Sequence, residues 1–254
     1  MSGFPADQTG AAIRVSPNFG PRVGVAAPDM IILHYTGMDS GAGAENWLCD
    51  PRSEVSSHYL VHEDGRIVQM VREADRAWHA GRSSWKGVTD VNSRSVGIEI
   101  VNPGHFLGYP AFPDAQIEAV IALCAGIRGR HGIPADRILG HSDVAPGRKI
   151  DPGEKFPWDR LAAAGLAARR PEPGSEGGPW IGPGAAGQTV EDLQAMLALH
   201  GYGVDITGRF DPLTRVVVEA FQRRFRPRRI DGIADAATRS ILRQLVSNAR
   251  SDAA

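Results

Sequence analysis

The chain has 254 residues, of which 42% are hydrophobic and 22% charged, values that are ordinary for a folded globular protein. Its formal net charge of −1 gives no bulk attraction to nucleic acid or to acidic membranes. One basic run, Arg223 to Arg229, stands out. Because this run is short and isolated, we interpret it as a solvated helix end and loop.

No segment approaches the roughly 18 apolar residues that a membrane-spanning helix needs. The N-terminus also lacks a basic start followed by an apolar stretch, which is the pattern of a secretory signal. We therefore expect no transmembrane segment and a cytoplasmic location, with the periplasm or cell envelope as the alternative. The spacing of Cys49 and Cys124 does not demand a disulfide, so we expect free, buried thiols.

Short apolar runs alternate with one helical pattern in the first part of the chain. Residues 1–27 are expected to form an irregular lead-in. The Asp64-Gly65 dipeptide indicates a hairpin, and apolar residues at three- and four-residue steps predict a helix between Asp114 and Gly132. Strands are predicted at 30–35, 57–62, 66–71, 95–101 and 137–141. This order predicts an α/β domain over 28–168, with a mixed central sheet flanked by helices.

A proline- and glycine-rich stretch at 169–187 is predicted to be a linker. A small all-α domain of three helices is predicted for 188–248. Their starts are indicated by a capping box at Thr189 and Asp192, by Asp211 before Pro212, and by Asp235. The segments 206–215 and 230–239 align as a repeat, so a glycine turn that leads into a capped helix occurs twice.

Two histidines and one aspartate follow or end predicted strands and could bind a metal ion. His34 ends the first apolar strand, His141 ends another, and Asp151 lies in a proline-stiffened loop shortly afterwards. Two imidazoles, one carboxylate and an open fourth position form a catalytic zinc set, which would lower the pKa of a bound water to roughly 7. Spacing alone leaves a second interpretation open, in which the histidines are surface groups and the aspartate forms a turn.

The surrounding motifs separate these interpretations. Together they resemble the zinc N-acetylmuramoyl-L-alanine amidases of the type-2 amidase family, whose fold is shared by animal peptidoglycan recognition proteins. The resemblance covers roughly residues 28–165. It rests on six ordered motifs: HYTG (34–37), SSHYLV (56–61), AWHAG (77–81), SVGIEI (95–100), GHSDVAPGRKIDPG (140–153) and FPW (156–158).

The resemblance implies that His34, His141 and Asp151 bind one zinc ion. It also implies that Glu99 is the catalytic acid and base and that Lys149 assists catalysis. Amide hydrolysis needs a group that takes a proton from water and protonates the leaving amine, and an ammonium can stabilise the oxyanion. An outward strand glutamate and a solvated lysine are the alternatives for Glu99 and Lys149.

Three further residues are candidates for substrate contacts: Trp78, His79 and Asn102. For His79 we expect a hydrogen-bonding role that shapes the site, with packing as the alternative. Trp78 fits a groove-lining residue and a buried core tryptophan equally well. His58 also lies in a matched motif, SSHYLV, but outside the implied zinc ligands, and the remaining histidines, His62, His105, His131 and His200, match no motif.

The last part of the chain resembles the three-helix peptidoglycan-binding domain. The two resemblances imply a hydrolase that cleaves the amide bond between the lactyl group of N-acetylmuramic acid and L-alanine, in peptidoglycan or in (anhydro)muropeptides. We expect the protein to be a monomer. A non-catalytic peptidoglycan receptor on the same fold is the main alternative, and a zinc carboxypeptidase is a third. Cytoplasmic recycling of anhydro-muropeptides and action after export are both open.

Overall fold

The computed structural model of the protein describes residues 4–174 and 178–251. The strands are β1 (Ala12–Ile13), β2 (Phe19–Pro21), β3 (Met30–Tyr35), β4 (Tyr59–Val61), β5 (Ile67–Gln69), β6 (Asp75–Ala77), β7 (Ser95–Ile100) and β8 (Ile138–Gly140). The helices are α1 (Gly41–Leu48), α2 (Val91–Arg94), α3 (Asp114–His131), α4 (His141–Val144), α5 (Trp158–Ala163), α6 (Gln188–His200), α7 (Pro212–Phe225) and α8 (Ala236–Ser251). Short 3-10 turns occur at Pro51–Ser53, His105–Leu107 and Ala135–Arg137.

The central sheet is mixed, as the sequence predicts. Its strand order is β1-β5-β4-β7-β3-β8, and β4 and β5 form an antiparallel hairpin while the other neighbours are parallel. The hairpin turns at Gly65, whose positive φ of 87° is a conformation that glycine adopts without steric cost. The strands β2 and β6 form a separate antiparallel pair.

Successive side chains of β3 and β7 point alternately to the two faces of the sheet. Ile31 and Leu33 of β3 pack with Ile98 of β7 and with the apolar stripe of α3, in a core where these side chains are fully buried. The helix α3 ends as predicted at Gly132, which adopts a left-handed conformation and donates its N–H to the carbonyl of Arg128. His34 and Glu99 are register partners at the end of the opposite face.

The expectation of an irregular lead-in is wrong for part of residues 4–27. The strand β1 pairs with β5 and β2 pairs with β6. Arg22 fixes the rest of the segment, because its guanidinium donates hydrogen bonds to the carbonyls of Glu73, Ser93 and Ser95. These are long-range contacts, and such contacts leave no periodic pattern in the segment itself.

Residues 178–251, which contain the three C-terminal helices α6, α7 and α8 and the turns between them, are called the C-terminal module below. The repeat has a physical basis: a buried glutamine at the same position in each unit holds the next glycine turn. The Gln194 side-chain oxygen accepts from the N–H of Thr207 and Gly208, and the Gln222 oxygen accepts from Asp231 and Gly232.

The predicted helix starts at Asp211-Pro212 and Asp235 are confirmed, because each aspartate side chain accepts the N–H three residues later. The capping box at Thr189 is wrong, because α6 already begins at Gln188, after Gly187. Part of the predicted linker also belongs to the module. Ile181 is 5% exposed and forms an isolated β-bridge with Ala234.

The C-terminal module packs directly on the sheet. Met30, Ile32 and Leu139 of the sheet share one hydrophobic cluster with Trp85 and with the apolar side chains of α6, α7 and α8. Arg224 lies in this interface with 7% exposure, so the interpretation of the whole basic run as solvated is wrong for this residue.

Both cysteines are free, with Cys124 buried and Cys49 half-buried. Among the helices within residues 4–174 and 178–251, none combines the length and the apolar character that crossing a bilayer requires.

Candidate active site

His34, His141 and Asp151 converge at the carboxyl ends of β3 and β8. The Nδ1 atoms of the two histidines lie 2.9 Å apart, and each lies close to Oδ2 of Asp151, at 3.1 Å and 3.0 Å. All three residues are buried. A tetrahedral zinc site with bonds of about 2.0–2.1 Å places its ligand atoms about 3.3 Å apart, close to the edges of this triangle.

A chain of hydrogen bonds determines which nitrogen of His34 carries its proton. The hydroxyl of Ser95 donates to the carbonyl of Val91, so its oxygen accepts from Nε2–H of His79 at 3.2 Å. The Nδ1 of His79 therefore accepts from Nε2–H of His34 at 3.0 Å. This leaves a lone pair on Nδ1 of His34, directed into the triangle.

The same argument applies to His141. Its Nε2 lies 3.1 Å from the carbonyl oxygen of Ala80, which can only accept a hydrogen bond. Nη2 of Arg148 is farther from Nε2, at 3.3 Å, and donates to the Ala80 carbonyl at 2.5 Å, so we assign the proton of His141 to Nε2 and the lone pair to Nδ1. Three electron-rich atoms thus face one another without a proton among them. Such a set repels itself unless a cation lies between them, so these residues fit a divalent metal ion.

The pKa shifts of His34 and Asp151 agree with a metal site. Burial, together with the nearby His141, lowers the pKa of His34 to about 4, so its imidazole is neutral near pH 7. Burial alone would raise the pKa of Asp151, but His141 and His34 outweigh burial and lower it well below the usual range. A neutral imidazole at His34 and an ionised carboxylate at Asp151 are the protonation states in which these side chains bind a metal ion.

The position of the His79 ring explains why the SVGIEI motif of β7 has a glycine at position 97. A Cβ atom at this position would lie 2.5 Å from the ring of His79, closer than non-bonded atoms approach. The absence of a side chain therefore lets the His79 ring lie against β7, where it reaches Nε2 of His34.

Glu99 lies on the same face of the sheet as His34 and lines the same cleft. Its Oε2 atom is buried and has no hydrogen-bond partner within the described part of the chain. Burial raises the pKa of Glu99 well above its usual range; the negative charge of Asp151 adds to this shift, and Lys149 opposes it. An unpartnered carboxyl with a raised pKa is typical of a group that exchanges protons during catalysis.

The cleft around these residues has a volume of about 470 Å³. Lys149 lies on its rim and is exposed. Arg148, which the sequence analysis missed, also lines the cleft and donates at 2.5 Å to the carbonyl of Ala80, the acceptor used by His141. Its position next to Lys149 in the GRK segment was the available signal.

The other predicted contact residues divide into two groups. Trp78 is half-buried and lines the cleft, which favours the groove-lining alternative over a core position. His79 lines the cleft and holds His34. Asn102 lies elsewhere: its amide donates to the carbonyl of Pro110 and accepts from the N–H of Gly104. These bonds fix the loop after β7, so the substrate-contact prediction for Asn102 has no structural support.

Comparisons with known proteins agree with this geometry. The family model described as N-acetylmuramoyl-L-alanine amidase matches residues 24–154, and the model described as a putative peptidoglycan binding domain matches residues 186–242. The amidase AmiD of Escherichia coli is 37% identical over 231 residues, which are 85% of this chain and 82% of AmiD. The 1,6-anhydro-N-acetylmuramyl-L-alanine amidase AmpD of Enterobacter cloacae is 33% identical over 58% of this chain and 86% of AmpD.

Solved structures give the same result. The complex of E. coli AmiD with anhydro-N-acetylmuramic acid-L-Ala-D-gamma-Glu-L-Lys matches with a TM-score of 0.75 and 34% identity, over 92% of this chain and 93% of that chain. AmpDh3 of Pseudomonas aeruginosa matches with a TM-score of 0.72 and 29% identity, over 92% of this chain and 95% of that chain. The chain therefore belongs to the N-acetylmuramoyl-L-alanine amidase family and is an amide hydrolase.

Proposed function

We propose that this chain is a zinc-dependent amidase that separates muramic acid from its stem peptide, with His34, His141 and Asp151 as the zinc ligands. The observation that carries the proposal is the convergence of Nδ1 of His34, Nδ1 of His141 and Oδ2 of Asp151 next to Glu99, whose buried Oε2 has no hydrogen-bond partner among the described residues. When bound, zinc supplies a Lewis acid that makes water a nucleophile near neutral pH. The non-catalytic receptor is disfavoured, because receptors of that kind lack a metal ligand, whereas this chain has all three.

The protein residues then divide the proton transfers and the charge stabilisation between them. Glu99 accepts a proton from the attacking water and delivers it to the nitrogen of the departing alanine, so one carboxyl serves as base and then as acid. The ammonium of Lys149 stabilises the negative charge that develops on the amide oxygen. The side chains of His79 and Ser95 keep the proton of His34 on Nε2 throughout.

The rim of the cleft suits a sugar joined to an anionic peptide. Phe106 is 92% exposed and Trp47 is 46% exposed, and both line the cleft with Trp78. These aromatic faces offer apolar surface to the muramic acid ring. Arg148 and Lys149 provide positive charge for the carboxylates of the stem peptide.

We expect the purified protein to contain about one zinc per chain and to lose its amidase activity when a chelator removes the metal. Zinc content is measured by elemental analysis, and activity by digestion of soluble anhydro-muropeptides and of purified sacculi, with the products identified by mass. The expected products are free stem peptide and a muramic acid derivative with an intact lactyl carboxylate. Products shortened within the peptide would identify a carboxypeptidase, and a metal-free active enzyme would contradict the proposal.

Replacing His79 with phenylalanine is expected to weaken zinc binding by about tenfold, because the proton of His34 loses its acceptor. The change His79→Asn is the matched control, since its Oδ1 can replace Nδ1 as the acceptor, and it should retain most of the affinity. Zinc affinity is measured by competition with a chelator of known affinity. Equal affinity in the phenylalanine variant and the wild type would show that the hydrogen-bond chain is unimportant.

Four points are decided by experiment: whether anhydro-muropeptides or intact wall is the preferred substrate, the predicted action in the cytoplasm, the predicted monomeric state, and whether the C-terminal module binds wall. The two substrates above test the first, and cell fractionation tests the second. Gel filtration with light scattering tests the third, and sedimentation with purified sacculi tests the fourth.

A further inference from the structure

Helix α7 of the C-terminal module lies against the segment that joins His141 to Asp151. The side chain of Val216 is 3.0 Å from the position that a Cβ atom would occupy at Gly147, in the middle of this segment. Gly147 also has a positive φ of 74°. A Cβ atom at Gly147 would contact α7 more tightly than most Cβ atoms contact their neighbours, so the two surfaces fit closely.

Arg224, at the C-terminal end of α7, contacts the catalytic part of the chain through an ion pair, a hydrogen bond and an aromatic ring. Its Nη1 donates to Oδ2 of Asp143 at 2.6 Å, and its Nη2 donates to the carbonyl of Ile138 at 3.0 Å. Its guanidinium also lies 4.1 Å from the centre of the Trp158 ring. The side chains of Arg224 and Asp143 are only 5% and 1% exposed, so this ion pair is shielded from water.

A second residue of the module binds the same carboxylate. The hydroxyl of Tyr202, from the turn after α6, donates to Oδ1 of Asp143 at 3.1 Å. Burial raises the pKa of Tyr202 well above its usual value, and the charge of Asp143 adds to this shift, so the phenol stays a donor. Both oxygens of Asp143 are thus bound by residues of the module.

Asp143 also connects the module to the candidate metal ligands. Its Oδ2 also accepts the N–H of Gly140 at 2.8 Å, which closes the turn in which His141 begins α4. The N–H of the next residue, Ser142, donates to the carbonyl of Asp151 at 2.9 Å. The positions of His141 and Asp151 are therefore coupled through one small network whose central carboxylate is bound by the module.

We propose that Arg224 and Tyr202 are positioning residues of the metal site, so that the C-terminal module completes the active site as well as serving any wall-binding role. This inference rests on the proposed function. Removing one partner of a buried ion pair leaves the other charge without compensation in a nonpolar interior. Loss of Arg224 would therefore displace the turn of Asp143, and with it the imidazole of His141.

The test is Arg224→Met in the full chain, assayed on a soluble anhydro-muropeptide, where wall binding has no part. The expected result is about a tenfold loss of zinc affinity, as for other groups that support metal ligands. We also expect a lower kcat with little change in KM, and a changed visible spectrum of the cobalt-substituted protein. Arg224→Lys keeps the charge and should restore part of the affinity.

Arg226→Met is the matched control. Arg226 forms its ion pair with Asp235, and a hydrogen bond with Thr238, within the module itself, so its loss should leave zinc affinity and the cobalt spectrum unchanged. Tyr202→Phe removes one hydrogen bond to Asp143 without leaving a buried charge. We expect a smaller loss of zinc affinity in this variant, which provides the test if Arg224→Met does not fold.

Wild-type zinc affinity, cobalt spectrum and kcat in a folded Arg224→Met variant would overturn the inference. If Arg224→Met does not fold, the same wild-type values in Tyr202→Phe would overturn it. A wild-type chain that binds no zinc would instead overturn the proposed function, so the two failures are distinguishable.

Discussion

Replacing Glu99 with glutamine is expected to lower kcat on a soluble anhydro-muropeptide by about a thousandfold while leaving the zinc content unchanged. The amide has the shape of the carboxyl group but cannot accept the proton from water or deliver it to the leaving nitrogen. Zinc content should persist, because Glu99 is outside the ligand triangle and its Oε2 forms no hydrogen bond with the described residues. Metal analysis and product formation are measured on the same preparation.

Glu154→Gln is the matched control for this substitution. Glu154 also lies near the Asp151 loop, but its carboxylate binds His105 at 3.0 Å and its side chain is 27% exposed. The same chemical change at this position should leave kcat close to the wild-type value. A Glu99→Gln variant with wild-type turnover would mean that another group moves the proton.

Local sequence patterns predicted the elements whose structure depends on nearby residues. The helix α3 has an apolar stripe and a glycine that ends it, and the turn at Gly65 has the dipeptide that favours a hairpin. The start of α7 at Asp211-Pro212 combines a cap with a proline that needs no N–H donor. In each case the stabilising contacts span only a few residues.

Features that depend on distant contacts could not be predicted in this way. The short strands β1 and β2 exist because other strands pair with them, and their own residues have no strand pattern. The burial of Arg224 depends on Asp143, a residue 81 positions away in the chain. A charged residue in a basic run has the same local sequence whether it faces water or a buried carboxylate.

The details of the candidate site also depend on distant contacts, which the sequence alone does not show. Residue types and motifs pointed to the residues that converge in the cleft, but not to the hydrogen bonds that set the proton positions of His34 and His141. The close contact of His79 with Gly97 explains that glycine only once the ring position is known. Asn102 follows β7 in sequence and was therefore a plausible contact, yet its amide is used to hold a loop.

Replacing His141 with alanine is expected to abolish both zinc binding and turnover. The substitution removes one of three donor atoms, so a divalent ion would be held only by His34 and Asp151. We expect zinc to be lost during dialysis against a weak chelator that leaves the wild type loaded, with product formation at the limit of detection.

His62→Ala separates this effect from the general cost of losing a buried histidine. His62 is 7% exposed and lies 3.1 Å from the carboxylate of Glu45, outside the ligand triangle. Its loss removes a similar volume and a similar contact with a carboxylate, so stability should fall while zinc content stays at the wild-type level. Because His141→Ala loses the metal and Glu99→Gln retains it, the two variants together distinguish metal binding from proton transfer. Full zinc occupancy in a folded His141→Ala variant would contradict the assigned ligand set.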